Sequence, residues 1–266
     1  MEKMRLDGNG IPILSRTEIE VRTERLLDAF EPRCLTEPRA TPLAAIADRL
    51  RTKHGAKFVF RADLGVRKGR QIRGCFDIQS RTIFIDKSLP EREPRFNFTL
   101  AHEIGHFVMH RNVDPIVLRG TTKRIEDNDR DLILDQLQSD NPRSWMEWQA
   151  NKFASSLLLP RATVLNAVIT KQKELGVTRS LGKIYLDRQA GNYRDFKELL
   201  DNLLFIYQAS YAAIRIRLRE LNILREAHLD PAAPPSGPEP IQTSLARAIG
   251  EWLPKIDKAS KRRTNA

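Results

Sequence analysis

Apolar residues recur along the chain with helical and strand periods, and polar caps, prolines and glycines mark where one period gives way to the next. Ser15-Arg16-Thr17-Glu18 has the form of a capping box, with Leu14 and Ile19 at the two positions of a hydrophobic staple, so a helix is predicted over about residues 17–30. Thr41 before Pro42 reads as a cap followed by a proline in the first helical position, opening a helix through LAAIADRL that ends near Gly55. KFVFRA then has strand character. RQIRGCFDI and RTIFIDKS, separated by Gln79 and Ser80, are dominated by β-branched and aromatic residues and predict a hairpin. Pro90 and Pro94 break the chain ahead of a helix over about residues 95–110.

A polar connection rich in Asp and Asn runs from Asn112 to Asn141, longer than most loops, with a short helix expected at Asp131-Leu-Ile-Leu-Asp-Gln-Leu. A further helix over about 144–158 stops before Pro160, and helical periods recur at about 161–175, 193–204 and 209–222. PAAPPSGPEP is a linker, followed by a short amphipathic segment and the tail KASKRRTNA. The expected class is α+β: a small sheet packed on the 95–110 helix, with a mainly helical C-terminal part. Four segments follow: an N-terminal helical extension (1–35), a core (36–160), a C-terminal helical domain (161–229), and a linker with short helix and basic tail (230–266).

Composition narrows the setting. With 266 residues the chain can bury a core without metal or disulfide support. No stretch approaches the roughly 20 apolar residues of a membrane span, and MEKMRLDGNGIPIL lacks the apolar centre of a signal peptide. Cys34 and Cys75 are the only cysteines, too few for a disulfide framework, so a reducing cytoplasm is the expected compartment. The net charge of +11 attracts polyanions, nucleic acid foremost, unless it serves only to keep the surface soluble.

The candidate chemistry lies in His102-Glu103-Ile104-Gly105-His106. Two histidines four apart share a helix face and can hold one metal ion, while the glutamate beside them can act as general base on a water at that ion. Residue types and spacing both suit zinc. On the helical wheel Leu100, Ile104, Phe107 and Val108 point one way and the histidines nearly opposite, so the histidine side is expected to face a cleft. A catalytic zinc site needs a third protein ligand, and Glu147 in WMEWQANKFASSLLLP supplies it. Asn151, one turn later on the same face, is placed to orient a histidine ligand, beside an apolar stripe of Met146, Ala150, Phe153 and Leu157. His110 lies two turns from His102 along the axis and is read as structural or as part of the cleft wall.

RFNFTLAHEIGHFVMH, followed by Glu147-x-x-Ala-Asn-x-Phe-Ala-x-x-Leu-Leu-x-Pro160, resembles the ImmA/IrrE family of zinc metallopeptidases, and SYAAIRIRLRELNIL from Ser210 is similar to that family's C-terminal helical segment. Gln149 departs from relatives that often carry an acid there, which favours Glu147 as the ligand. The resemblance implies a gluzincin-like core with one zinc ion per chain. It also implies cleavage of a helix-turn-helix repressor that controls mobile-element, DNA-damage or antiphage-defence genes. Some relatives respond to single-stranded DNA, so DNA is an expected activator, with Arg215 and Arg219, stacked four apart, as its candidate contacts or as contacts to an acidic partner. Cys75 is either a small buried hydrophobe or an inhibitory fourth zinc ligand. Tyr193, Tyr207 and Tyr211 are unranked candidates for stabilising an oxyanion. The competing reading is a DNA-binding or toxin-antitoxin protein with a non-catalytic zinc site, in which Glu103 would have no task.

Overall fold

The computed structural model describes residues 6, 10–67, 69–91, 93–114, 124–128, 142–187 and 189–226. An extended strap carrying Pro12, which bridges back to Leu6, leads into α1 (Arg16–Phe30). The capping box forms as predicted: Ser15 Oγ accepts from the Glu18 amide at 3.2 Å, and the Glu18 carboxylate accepts from the Ser15 amide at 2.7 Å. Ile11, Leu14, Ile19 and Leu27 all enter the core. After the single turn α2 (Arg33–Thr36) comes α3 (Leu43–His54). The cap predicted at Thr41 does not form. Pro42 takes the capping place without a side-chain bond, and the Thr41 hydroxyl donates to the Leu157 carbonyl at 2.7 Å, tying the start of α3 to the end of a later helix. Gly55 closes α3 at a φ of 67°, a conformation in which a side chain would be strained.

β1 (Lys57–Ala62), β2 (Val66–Arg67), β3 (Arg70–Asp77) and β4 (Thr82–Asp86) form the sheet in the order β1-β4-β3-β2. The predicted hairpin is β3 and β4, antiparallel with Gly74 opposite Ile85 and Cys75 opposite Phe84; β1 runs parallel to β4. α4 (Pro94–His110) crosses one face, where Phe107 meets Phe76 edge-on at 5.9 Å. β5 (Arg124–Asn128) pairs antiparallel with β3. This strand lies inside the connection expected to be a loop: Arg-Ile-Glu-Asp-Asn offers one apolar residue and no alternation, so its strand character comes from backbone pairing alone. The helix expected at 131–137 lies outside the described residues.

α5 (Pro142–Leu158) is buried on every side from Met146 onward, lying against α4, α1 and α8. The predicted stripe of Met146, Ala150, Phe153 and Leu157 is fully inaccessible, but so are the polar residues between. α6 (Arg161–Glu174), β6 (Ile184–Leu186), α7 (Ala190–Tyr207), α8 (Tyr211–Glu220) and β7 (Leu224–Glu226) complete the described chain. β6 and β7 pair in parallel, a small second sheet that three-residue segments do not announce in sequence. One hydrophobic cluster runs from Ile11 to Leu224, so residues 11–30 and the C-terminal helices share a core with the sheet. A buried ionic group reinforces it: Lys152 on α5 meets Glu220, and Arg217 on α8 meets Glu20 on α1 while donating to the Leu159 carbonyl at 3.0 Å. Among the described residues no single helix is long and apolar enough to cross a membrane; the bent pair α5 and α6 passes on length and composition only. The linker and basic tail lie outside the described residues.

Candidate metal centre

Two buried helices build the site. α4 supplies His102 and His106 one turn apart, their rings 4.6 Å apart between centroids, and α5 supplies Glu147. His102 Nε2 lies 3.1 Å from Glu147 Oε2, His106 Nε2 lies 3.5 Å from the same oxygen, and the two Nε2 atoms are 2.9 Å apart. The three residues are the group among those described whose ligand atoms converge as a metal site requires. The histidine side of α4 does not face an open cleft. Both imidazoles are wholly inaccessible because α5 covers them, and Glu147 is only 8% exposed.

Hydrogen-bond bookkeeping fixes what these atoms present to one another. Asn151 Oδ1 lies 2.8 Å from His102 Nδ1, so His102 donates there and turns the Nε2 lone pair toward Glu147. His106 Nδ1 lies 2.9 Å from His110 Nδ1, and its Nε2 likewise points at the group. Two nitrogen lone pairs and a carboxylate oxygen thus face one another in a dry interior, an arrangement that repels unless a cation sits among them. Glu147 Oε1 is buried with no hydrogen-bond partner, as a ligand oxygen would be. On these grounds the donor set fits a divalent metal.

Glu103 is fully buried on the side of α4 that faces β3. A Cβ built on Gly74 would stand 2.4 Å from Glu103 Oε1 and 2.7 Å from Thr99 Cγ2, so only glycine lets the strand approach the candidate base this closely. Gly74→Ala is expected to cost about 1–3 kcal/mol of stability, to leave the metal bound, and to lower peptidase turnover by at least about tenfold as Glu103 is displaced. Thermal melting, metal content and turnover of the purified variant check this; unchanged turnover would contradict it.

Burial is the largest influence on Glu147 and by itself would raise its carboxyl; in the metal-free protein the facing His106 and His102, with a proton on Nε2 as the cation among the three groups, outweigh it and hold the carboxyl well below the usual carboxylate range. Burial, then His106, pushes His110 from its ordinary 6.5 down to about 3. Both groups are therefore protonated in the unfolded chain at a higher pH than in the folded one. Each contributes stability that is lost on acidification, His110 from about pH 6.5 toward 3 and Glu147 below about 4.5. The metal-free protein should lose up to about 1.4 kcal/mol per pH unit between pH 6.5 and 4, through His110 over most of that range and through Glu147 in addition only below about pH 4.5. Urea denaturation across that range checks it, and a flat profile would contradict it.

The other sequence candidates are placed differently. Gly74 and Phe76 of β3 both point at α4, so strand alternation turns the buried Cys75 to the opposite face of the sheet; the structure does not bring Cys75 to the triad. Arg215 and Arg219 both close on Glu226 of β7, with Arg215 Nε at 2.7 Å and Arg219 Nε at 2.8 Å from its two oxygens, so one carboxylate already holds both guanidinium groups. Tyr207 is buried in the core, where desolvation raises its phenol and its hydroxyl meets no hydrogen-bond partner among the described residues, while the nearby Thr163 hydroxyl donates to the Pro160 carbonyl at 3.3 Å. Tyr193 and Tyr211 lie with Arg215, Arg219 and Glu226. His110, read as structural or as part of the cleft wall, lies behind His106 at 2.9 Å and not among the converging ligand atoms, and Gln149 accepts from it at 2.9 Å. The signal for this was the one-turn spacing from His106 rather than the two-turn spacing from His102.

The family model described as the IrrE N-terminal-like domain, peptidase M78, matches residues 52–219. That span is more than half the chain and contains the triad, Glu103, Gly74 and Asn151, but not the strap at Pro12. No curated protein matches the chain.

Proposed function

The chain belongs to the IrrE N-terminal-like peptidase family, a family of metallopeptidases, and from that premise we propose that it is a zinc-dependent endopeptidase acting on a helix-turn-helix transcriptional repressor. Cleavage would switch on a stress, mobile-element or antiphage-defence operon, with single-stranded DNA as the stimulating ligand. The observation that carries the enzymatic part is the convergence of His102, His106 and Glu147 with a buried carboxylate, Glu103, beside the first histidine.

Three protein ligands of the two-histidine, one-carboxylate kind are the set that catalytic zinc sites use, leaving one position for substrate, whereas structural sites close with four. When bound there, zinc would polarise the scissile carbonyl and make water acidic enough to attack near neutral pH. Glu103 accepts the proton of the attacking water and passes it to the departing amine. Asn151 holds the His102 ring so that its Nε2 lone pair stays on the metal side. Gly74 keeps β3 against Glu103 and fixes where that carboxylate can sit. The alternative, a DNA-binding or toxin-antitoxin protein with a non-catalytic zinc site, gives Glu103 nothing to do, although its burial is costly.

The repressor rests on the resemblance to ImmA/IrrE peptidases, and the DNA response on that resemblance and the net charge of +11. With Arg215 and Arg219 held by Glu226, a DNA contact would have to use other cations or release that pair. Incubating the zinc-loaded full chain with the repressor encoded beside its gene, with and without single-stranded DNA, tests the proposal. Discrete fragments, suppressed by a chelator and increased by DNA, are expected. An intact repressor in every arm would remove the substrate assignment, and cleavage indifferent to DNA and to salt would remove the activator.

A further inference from the structure

The partner of His106 does not end at His110. Gln149 Nε2 donates to the Pro12 carbonyl at 2.6 Å, Gln149 Oε1 lies 2.9 Å from His110 Nε2, and His110 Nδ1 lies 2.9 Å from His106 Nδ1. These contacts form a chain from the backbone of the N-terminal strap, through α5, to the metal-facing side of α4. Its direction is set at the far end. A carbonyl can only accept, so the Gln149 amide must turn its NH2 to Pro12; the flipped amide would set two oxygens against each other. Oε1 then faces His110, whose Nε2 must carry the hydrogen. A neutral, fully buried His110 is left with an Nδ1 lone pair. His106 must therefore bring the hydrogen on its own Nδ1, which leaves its Nε2 lone pair pointing at Glu147 and His102.

We infer that His110 and Gln149, anchored on the Pro12 carbonyl, are positioning residues that select the metal-binding tautomer of His106. The inference rests on the metal-centre reading proposed above and adds to it which residues tune that centre. His102 gets the same service in one step from Asn151, so the two histidines are held by different means. The longer arrangement leaves the 52–219 span of the family match, because its anchor is Pro12. The strap itself is fastened: Ile11 and Leu14 are buried in the core, and Trp145 Nε1 also donates to the Pro12 carbonyl at 3.3 Å while its ring stacks on Trp148. The segment before the first helix is thereby part of the metal centre's support.

Gln149→Leu removes both the acceptor for His110 and the donor to Pro12, and it should weaken zinc binding by the full chain about 10- to 100-fold in a chelator competition. Gln149→Glu keeps the acceptor for His110 but loses the donor that anchors it on Pro12, and should weaken zinc binding clearly less than Gln149→Leu does, by about threefold to tenfold. Equal zinc affinity for Gln149→Leu and the parent, or equal weakening by both variants, would overturn the inference. A second measurement needs no variant: nitrogen-15 shifts of the zinc-loaded full chain should show His110 carrying its proton on Nε2 with Nδ1 bare. A proton on His110 Nδ1 would overturn the relay even if the variants fail to fold. A parent protein that binds no zinc would instead overturn the metal centre itself, a result distinguishable from zinc bound normally without the relay.

Discussion

Glu103→Gln should yield a folded protein that binds zinc with the parent's stoichiometry and hydrolyses its substrate about 10²- to 10⁴-fold more slowly. The amide is nearly isosteric with the carboxylate, so the packing of the buried side chain against Gly74 is kept. What is lost is the proton acceptor. General-base catalysis of this kind is worth two to four decades of rate, and the loss should appear in kcat rather than in KM, since the group acts on the reacting water and not on substrate binding. Zinc content by elemental analysis and a progress curve of cleavage read the two effects separately. Normal proteolysis by the variant would remove Glu103 from the mechanism. Loss of zinc together with activity would make Glu103 a support of the metal site rather than its base.

Glu147→Ala is the second large effect, and it falls on the metal. Without the carboxylate, two Nε2 atoms 2.9 Å apart are the remaining donors. Removing a group that merely orients a ligand costs about 10- to 100-fold in affinity, so removing a ligand should exceed about 100-fold. The fold should survive, because α5 is held by Met146, Phe153 and Leu157 and by the Lys152–Glu220 pair, none of which depends on Glu147. The clearest reading is the melting temperature with and without zinc. Saturating zinc at about 100 times its Kd stabilises the parent by about 2.7 kcal/mol, and the variant should show almost none of that gain. A variant as strongly stabilised by zinc as the parent would place the metal elsewhere.

The parts of the site legible in sequence were those governed by a fixed helical spacing. His102 and His106 four apart, and Glu147 with Asn151 four apart, need only the period of one helix each. The meeting of the two helices is then implied by the chemistry that links them. The capping box at Ser15 and Glu18 is likewise a local rule, and it held. What the sequence hid depends on contacts between distant segments. Thr41 looked like a cap, yet its hydroxyl is claimed by Leu157, 116 residues later in the chain. Arg215 and Arg219 looked like a solvent-facing cationic pair until β7, beyond a turn, delivered Glu226 between them. Cys75 drew notice as a possible ligand, but the informative residue was its neighbour Gly74, whose missing side chain is the space that Glu103 occupies. β5 was invisible because its pairing with β3 uses backbone groups that every residue carries. Gln149 looked like a departure from a family pattern, whereas its amide accepts from His110 and donates to Pro12 at once.

The most direct measurement is anomalous diffraction at the zinc edge from crystals of the zinc-loaded full chain. The expected result is one strong peak per chain, within about 2.0–2.2 Å of His102 Nε2, His106 Nε2 and a Glu147 carboxylate oxygen. A peak away from these three side chains, or one bonded to the histidines with Glu147 out of reach, would contradict the account.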